Sequence, residues 1–169
     1  GYQALDANTT ASNNTAVGLN SLTSNTTGAN NTAIGGSSLA TNSTGGSNTA
    51  LGFGALTANT TASNNVAVGQ DSLGTNTTGT FNVAVGTSAL LVNTTANNNA
   101  ALGFFALKSN TTGAGNTALG SDALQKNTTA GENTAVGYLA GLETTTGNSN
   151  TVVGSNALAD NTTGASNVA

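Results

Sequence analysis

Hydrophobic residues return at two fixed phases of a 17-residue period along the whole chain. We number each unit from its first residue, a glycine, as positions 1 to 17. Position 5 is Leu in all units but one, and position 17 is Val, Ile or Leu wherever the chain reaches it. The opening glycines are Gly1, Gly18, Gly35, Gly52, Gly69, Gly86, Gly103, Gly120, Gly137 and Gly154. The pattern therefore predicts one continuous repeat array over residues 1–169.

The unit reads as a short apolar segment bounded by turn residues, with no apolar spacing of the helical kind. We predict an all-β chain, a parallel β-solenoid (β-roll) of ten 17-residue coils. Positions 14 to 17 form one strand and positions 3 to 7 a second, looser strand. Glycine at position 1 makes a corner with positive φ. Asn-Thr-Thr-Gly or Asn-Thr-Thr-Ala at positions 8 to 11 makes the opposite turn.

Asparagine occupies position 14 of every unit. In a stack of coils these side chains lie about 4.8 Å apart, the spacing of neighbouring strands. Stacked amides chain hydrogen bonds along such a column. We predict a structural ladder of Asn14, Asn31, Asn48, Asn65, Asn82, Asn99, Asn116, Asn133, Asn150 and Asn167.

Position 16 is almost always Ala. Side chains alternate along a strand, so if position 17 faces the lumen of the coil with the Leu of position 5, position 16 faces outward. An outward position restricted to a methyl group indicates close contact with another subunit. The predicted subunit-packing residues are Ala16, Ala33, Ala50, Ala67, Ala84, Ala101, Ala118 and Ala135.

The ninth unit departs from the pattern. Gly141 replaces the Leu of position 5, Thr144 replaces the Asn of position 8, and Val152 replaces the Ala of position 16. We expect a local change of coil shape there, such as a bulge.

The remaining positions vary and are expected to form the outer surface. All eight charged residues lie at positions 3, 6, 7 or 13, and the larger aromatic residues lie at positions 2, 3 or 13. Exposed aromatic side chains at positions 2 and 3 could bind a glycan. That predicted adhesive surface consists of Tyr2, Phe53, Phe104, Phe105 and Tyr138.

The composition argues against several classes of function. A net charge of −4 with two cationic side chains argues against a nucleic-acid partner. No apolar run is long enough to be inserted in a membrane. Histidine and cysteine are absent and the six carboxylates form no pair at a fixed phase. We therefore expect no catalytic residue, no cofactor and no metal.

Two alternative readings concern the Asn-Thr-Thr segments. They match the N-glycosylation acceptor, although turn formation accounts for the same residues. The paired threonines also suggest ice binding, a lesser alternative because the two residues are adjacent and lie in a predicted turn.

The pentad Asn-Thr-Ala-Val-Gly followed by Ala-Leu resembles repeats in the head domains of trimeric autotransporter adhesins. The whole unit is similar to low-complexity repeats of phage-like tail-fibre proteins. This resemblance covers all 169 residues. It implies a homotrimeric, left-handed, fibrous protein found outside the cell, on a cell surface or on a virion.

The sequence thus predicts a structural fibre protein, a stalk or filament body that associates with itself. The alternative is an adhesin that binds a surface glycan through the variable outward positions. Because neither end of the array carries a capping unit, we also expect further repeats beyond both ends.

Overall fold

The computed structural model describes all residues from Gly1 to Ala169. It is an all-β solenoid with one parallel sheet, whose strands follow one another in chain order from β1 to β9. Each strand has three residues, from positions 15 to 17 of its unit. The strands are Thr15–Val17, Thr32–Ile34, Thr49–Leu51, Val66–Val68, Val83–Val85, Ala100–Leu102, Thr117–Leu119, Thr134–Val136 and Thr151–Val153.

Every strand residue pairs with the equivalent residue of the next unit, as in Ala33 with Ala50. The nine strands therefore enclose eight complete coils, and the tenth unit joins the sheet by a single bridge between Thr151 and Val168. The predicted parallel β-solenoid is confirmed. Its left-handed sense stays a prediction.

The predicted second strand at positions 3 to 7 is wrong, because these residues form successive turns. Positions 3 and 5 have positive φ, for example 56° at Asn20 and 50° at Leu22, and this left-handed conformation is incompatible with a strand. The segment still bonds to both neighbouring coils. The N–H of Leu22 donates to the carbonyl of Ser38 at 3.0 Å, and that of Asn20 donates to the carbonyl of Tyr2 at 3.0 Å.

The predicted glycine corner at position 1 is confirmed. Gly52 has φ of 137°, which a residue with a side chain rarely adopts. A β-carbon there would also lie only 2.6 Å from the carbonyl oxygen of Gly69 in the next coil. Glycine is therefore required both for the turn and for the close stacking of corners.

The core is a narrow column of small and branched side chains. It contains the Leu of position 5 and the Ala of positions 4 and 16 in successive coils. The two walls of the coil approach closely, since the hydroxyl of Ser21 donates to the carbonyl of Ala33 at 2.9 Å. A Leu from one wall leaves room for only a methyl group from the other.

The predicted orientation of the strand is therefore reversed. The alanines of position 16 are buried from the second coil to the eighth, whereas Ala16 in the first coil is partly exposed and Ala169 in the last unit is exposed. They are core residues and cannot form the predicted subunit contact; this correction applies to Ala16, Ala33, Ala50, Ala67, Ala84, Ala101, Ala118 and Ala135. Position 17 points outward instead, with Val17 54% and Leu51 43% exposed.

The predicted bulge in the ninth unit is also wrong. Strand β9 keeps the register of the others, with Ala135 paired to Val152, and the N–H of Gly141 donates to the carbonyl of Ala157 at 3.0 Å. Val152 is buried. The larger side chain at position 16 accompanies the missing Leu at position 5, so the coil keeps its shape.

Candidate functional site

The asparagines of position 14 lie inside the coil, next to the strand. From Asn31 to Asn150 they are at most 1% exposed. The Oδ1 of Asn31 accepts the backbone N–H of Asn48 at 3.0 Å, and the Nδ2 of Asn31 donates to the carbonyl of Gly45 at 2.8 Å. The ladder thus runs mainly from side chain to backbone, and each amide joins its own coil to the next.

The asparagines of position 8, which the sequence predicts only as turn residues, form a second ladder. The Nδ2 of Asn42 donates to the Oδ1 of Asn25 at 2.8 Å and to the carbonyl of Gly45 at 2.9 Å. The same carbonyl accepts from Asn31, so the two ladders meet at position 11 of each coil. The signal in the sequence was the near-invariance of this Asn, which a solvent-exposed turn would not require.

The burial of the asparagines at position 8 argues against their N-glycosylation in the stacked coils. From Asn25 to Asn127 these asparagines are fully buried and their amides are engaged in the ladder. A glycan on the Nδ2 of any of them would remove a ladder donor and displace the neighbouring coil. Within the stacked array, the Asn-Thr-Thr segments therefore act as structural turns.

The two threonines of that segment have different environments. At position 9 the hydroxyl bonds to the next coil, as the Oγ1 of Thr77 does to the carbonyl of Thr94 at 3.0 Å. At position 10 the threonine is exposed in every coil, as at Thr44 and Thr95. Only one threonine of each pair therefore forms an outer row.

The predicted aromatic surface separates into two parts. Position 2 places Tyr2, Phe53, Phe104 and Tyr138 in one exposed row, together with Leu19. We call the four aromatic residues the aromatic row. They are three, three and two coils apart, or about 14, 14 and 10 Å along the axis. The ring of Phe53 covers the glycine below it, where a β-carbon on Gly36 would lie 3.2 Å from Cδ2 of the ring.

Phe105 is only half-exposed and differs from the aromatic row. Its ring stacks on Phe104 with centroids 3.8 Å apart, and the ammonium group of Lys108 lies 3.9 Å from its centroid. A cation over an aromatic ring is attracted to its π face. Phe105 therefore supports its neighbour and presents less free ring surface.

The charged side chains are scattered over the outer surface. One ion pair joins Lys126 to Glu143 in the next coil at 2.6 Å. No group of three or more acidic, histidine or cysteine residues is placed to hold a metal ion. A shallow depression is lined by Ala114, Gly131, Glu132 and Asn148, and it is open to solvent. The structure contains no membrane-spanning helix.

Comparison of the chain with protein-family models, with curated proteins and with solved structures gives no match.

Proposed function

We propose that the chain is a non-enzymatic structural fibre protein, an extended stalk or filament body located outside the cell or on a virion. The observation that supports it is the backbone hydrogen bonding between neighbouring coils, which continues along the whole array. Backbone ladders and two buried amide ladders connect each coil only to its neighbours. Such a chain is a one-dimensional stack whose length grows with the number of units.

The dimensions fit this role. Ten repeat units at about 4.8 Å each make a rod about 48 Å long. Ladder, core and corner residues occupy the invariant positions 1 and 14 and the nearly invariant positions 5, 8 and 16, whereas the charged residues lie at varied positions. The threonine of position 10 is invariant but exposed. A fibre needs a repeated framework and tolerates variation on its surface. Its self-association, as a homotrimer in the first instance, is part of the same proposal.

Immunogold labelling of intact cells or particles tests the proposal. Antibodies raised against the folded chain are expected to decorate filaments along their length. Label confined to the cell interior, or to compact particles without filaments, would contradict a fibre function. An antibody absorbed beforehand with the purified chain serves as the control.

Adhesion to a glycan is a second candidate, favoured by the aromatic row. Sugar rings stack on exposed aromatic faces, and this row offers four of them on one side of the rod. Phe53→Ala and Phe104→Ala are expected to abolish binding on a glycan array. Phe81→Ala is the matched control, because Phe81 is 59% exposed at position 13 and lies outside the row. Absence of binding by the unaltered chain would rule this candidate out.

A further inference from the structure

The outward side of the sheet carries no charged residue. Its two rows, positions 15 and 17, contain only Thr, Val, Ile, Leu and Ala on all nine strands. Position 2, which carries the aromatic row, is also uncharged in every unit. We call positions 15, 17 and 2 together the charge-free face.

These three rows adjoin one another. Position 17 and position 2 are separated by a single glycine, so their Cα atoms are at most about 7 Å apart. The row of position 17 is apolar on every strand and much of it is exposed; Val17 is 54%, Leu102 45% and Val153 61% exposed. Exposed apolar surface of this kind, rimmed by polar residues, marks interaction sites in soluble proteins.

We propose that the charge-free face packs against the same face of other copies of this chain, which lie side by side around a common axis. The inference rests on the proposed fibre function and specifies the surface by which copies associate. The contact between copies is thus formed by the residues of position 17, which the sequence predicts to lie inside, and not by the buried alanines of position 16.

Periodicity is the first argument for a second copy. The side chains of position 17 form a row with one branched residue per coil, about 4.8 Å apart. An identical row has the same spacing, so two faces interdigitate along their full length as in a steric zipper. A globular partner without this repeat would match only a few coils.

Area and charge are the second argument. Ten repeat units and three rows cover roughly 48 by 15 Å, or about 700 Å², close to the about 800 Å² per partner of a stable interface. Charged residues are depleted from the centres of interfaces. The net charge of −4 resides on other positions, so two copies meet without placing like charges in contact.

Sedimentation velocity of the full chain over a wide concentration range tests the proposal. The unaltered chain is expected to associate. Leu51→Lys with Leu102→Lys places a lysine at the contact in two coils and is expected to raise the dissociation constant by at least about 100-fold. Thr44→Lys with Thr95→Lys is the matched control, because it adds the same charges to the same two coils at exposed position 10. The control is expected to associate like the unaltered chain.

A second variant separates loss of contact from loss of folding. Leu51→Thr with Leu102→Thr keeps a residue type that already occupies the outer side of the sheet, and a smaller shift in the same direction is expected. Circular dichroism must show the same fold in all variants. A chain that stays an elongated monomer would overturn this interface but not the fibre function, which immunolabelling tests separately. Equal association of all variants would also overturn it.

Discussion

Single residues are selected here by backbone conformation as much as by polarity. Positions 3, 5 and 13 have positive φ in every coil. None of the residues at these positions is Val, Ile or Thr, although these types are abundant elsewhere in the chain. A β-branched side chain is strongly disfavoured in the left-handed region. This explains why position 5 is Leu and never Val or Ile.

The same substitution at two positions tests this conclusion. Leu56→Ile at position 5, where φ is 52°, is expected to lower the free energy of unfolding by about 2 kcal/mol, from backbone strain and repacking. Leu51→Ile lies on a strand, where Ile34 occupies the equivalent position, and is expected to change it by less than about 0.5 kcal/mol. Chemical denaturation measures both. Equal losses would mean that φ does not select the residue.

The position-8 ladder is interrupted at one residue. Thr144 replaces Asn, and the Oδ1 of Asn127 and the Oγ1 of Thr144 are buried without a hydrogen-bond partner. In intact coils this Oδ1 accepts from the Asn of the next coil, as Asn110 accepts from Asn127. A buried polar atom without a partner lowers stability.

Thr144→Asn is therefore expected to raise the free energy of unfolding by about 1 kcal/mol, by restoring the amide bond to Asn127. Thermal and chemical denaturation provide the measurement. Thr146→Asn, the same change at exposed position 10 of that coil, should alter stability by less than about 0.5 kcal/mol. A ladder with no energetic role would leave the two variants indistinguishable.

At the level of one coil, the sequence predicted the strand, the corner and the asparagine ladder, but it placed the strand the wrong way round. The prediction places Val, Ile and Leu of position 17 in the lumen and Ala of position 16 outside. It takes no account of the width of the coil, where Leu22 and its equivalents leave space only for a methyl group. The pattern of apolar residues also does not reveal the left-handed backbone conformation at positions 3 and 5, and a strand is therefore predicted there.

The ninth unit contains the sequence evidence for the true orientation of the strand. Gly141 and Val152 depart from the pattern together, which indicates that positions 5 and 16 share one space in the core. From the sequence, this departure predicts a change of coil shape. The structure shows a volume exchange within an unaltered coil, with Leu124 of the preceding coil reaching to within 3.0 Å of where a β-carbon on Gly141 would lie.

A double-mutant cycle tests the exchange. Val152→Ala is expected to cost about 2 kcal/mol by leaving a cavity, and Gly141→Leu about 1–3 kcal/mol by overpacking. The double variant rebuilds the ordinary coil and should be at least as stable as the parent chain. The coupling energy should therefore exceed about 1 kcal/mol. Additive losses would show that the two side chains do not compete for space.

For the whole molecule, stability is distributed over contacts between neighbouring coils. Removal of residues 86–102, one complete coil, joins Val85 to Gly103 and preserves the order of positions. The mean residue ellipticity is expected to stay unchanged. Removal of residues 86–94 shifts every later residue by about half a coil and should unfold part of the array. Circular dichroism distinguishes the two deletions, and equal damage by both would contradict a modular stack.

Electron cryomicroscopy of the native assembly is the decisive test of whether this chain forms the body of a self-associated fibre. We expect filaments in which the solenoid axis runs along the fibre, with one coil about every 4.8 Å. The rows of position 17 from Val17 to Val153 should face a second copy. Compact particles, or filaments in which this row faces solvent, would contradict it.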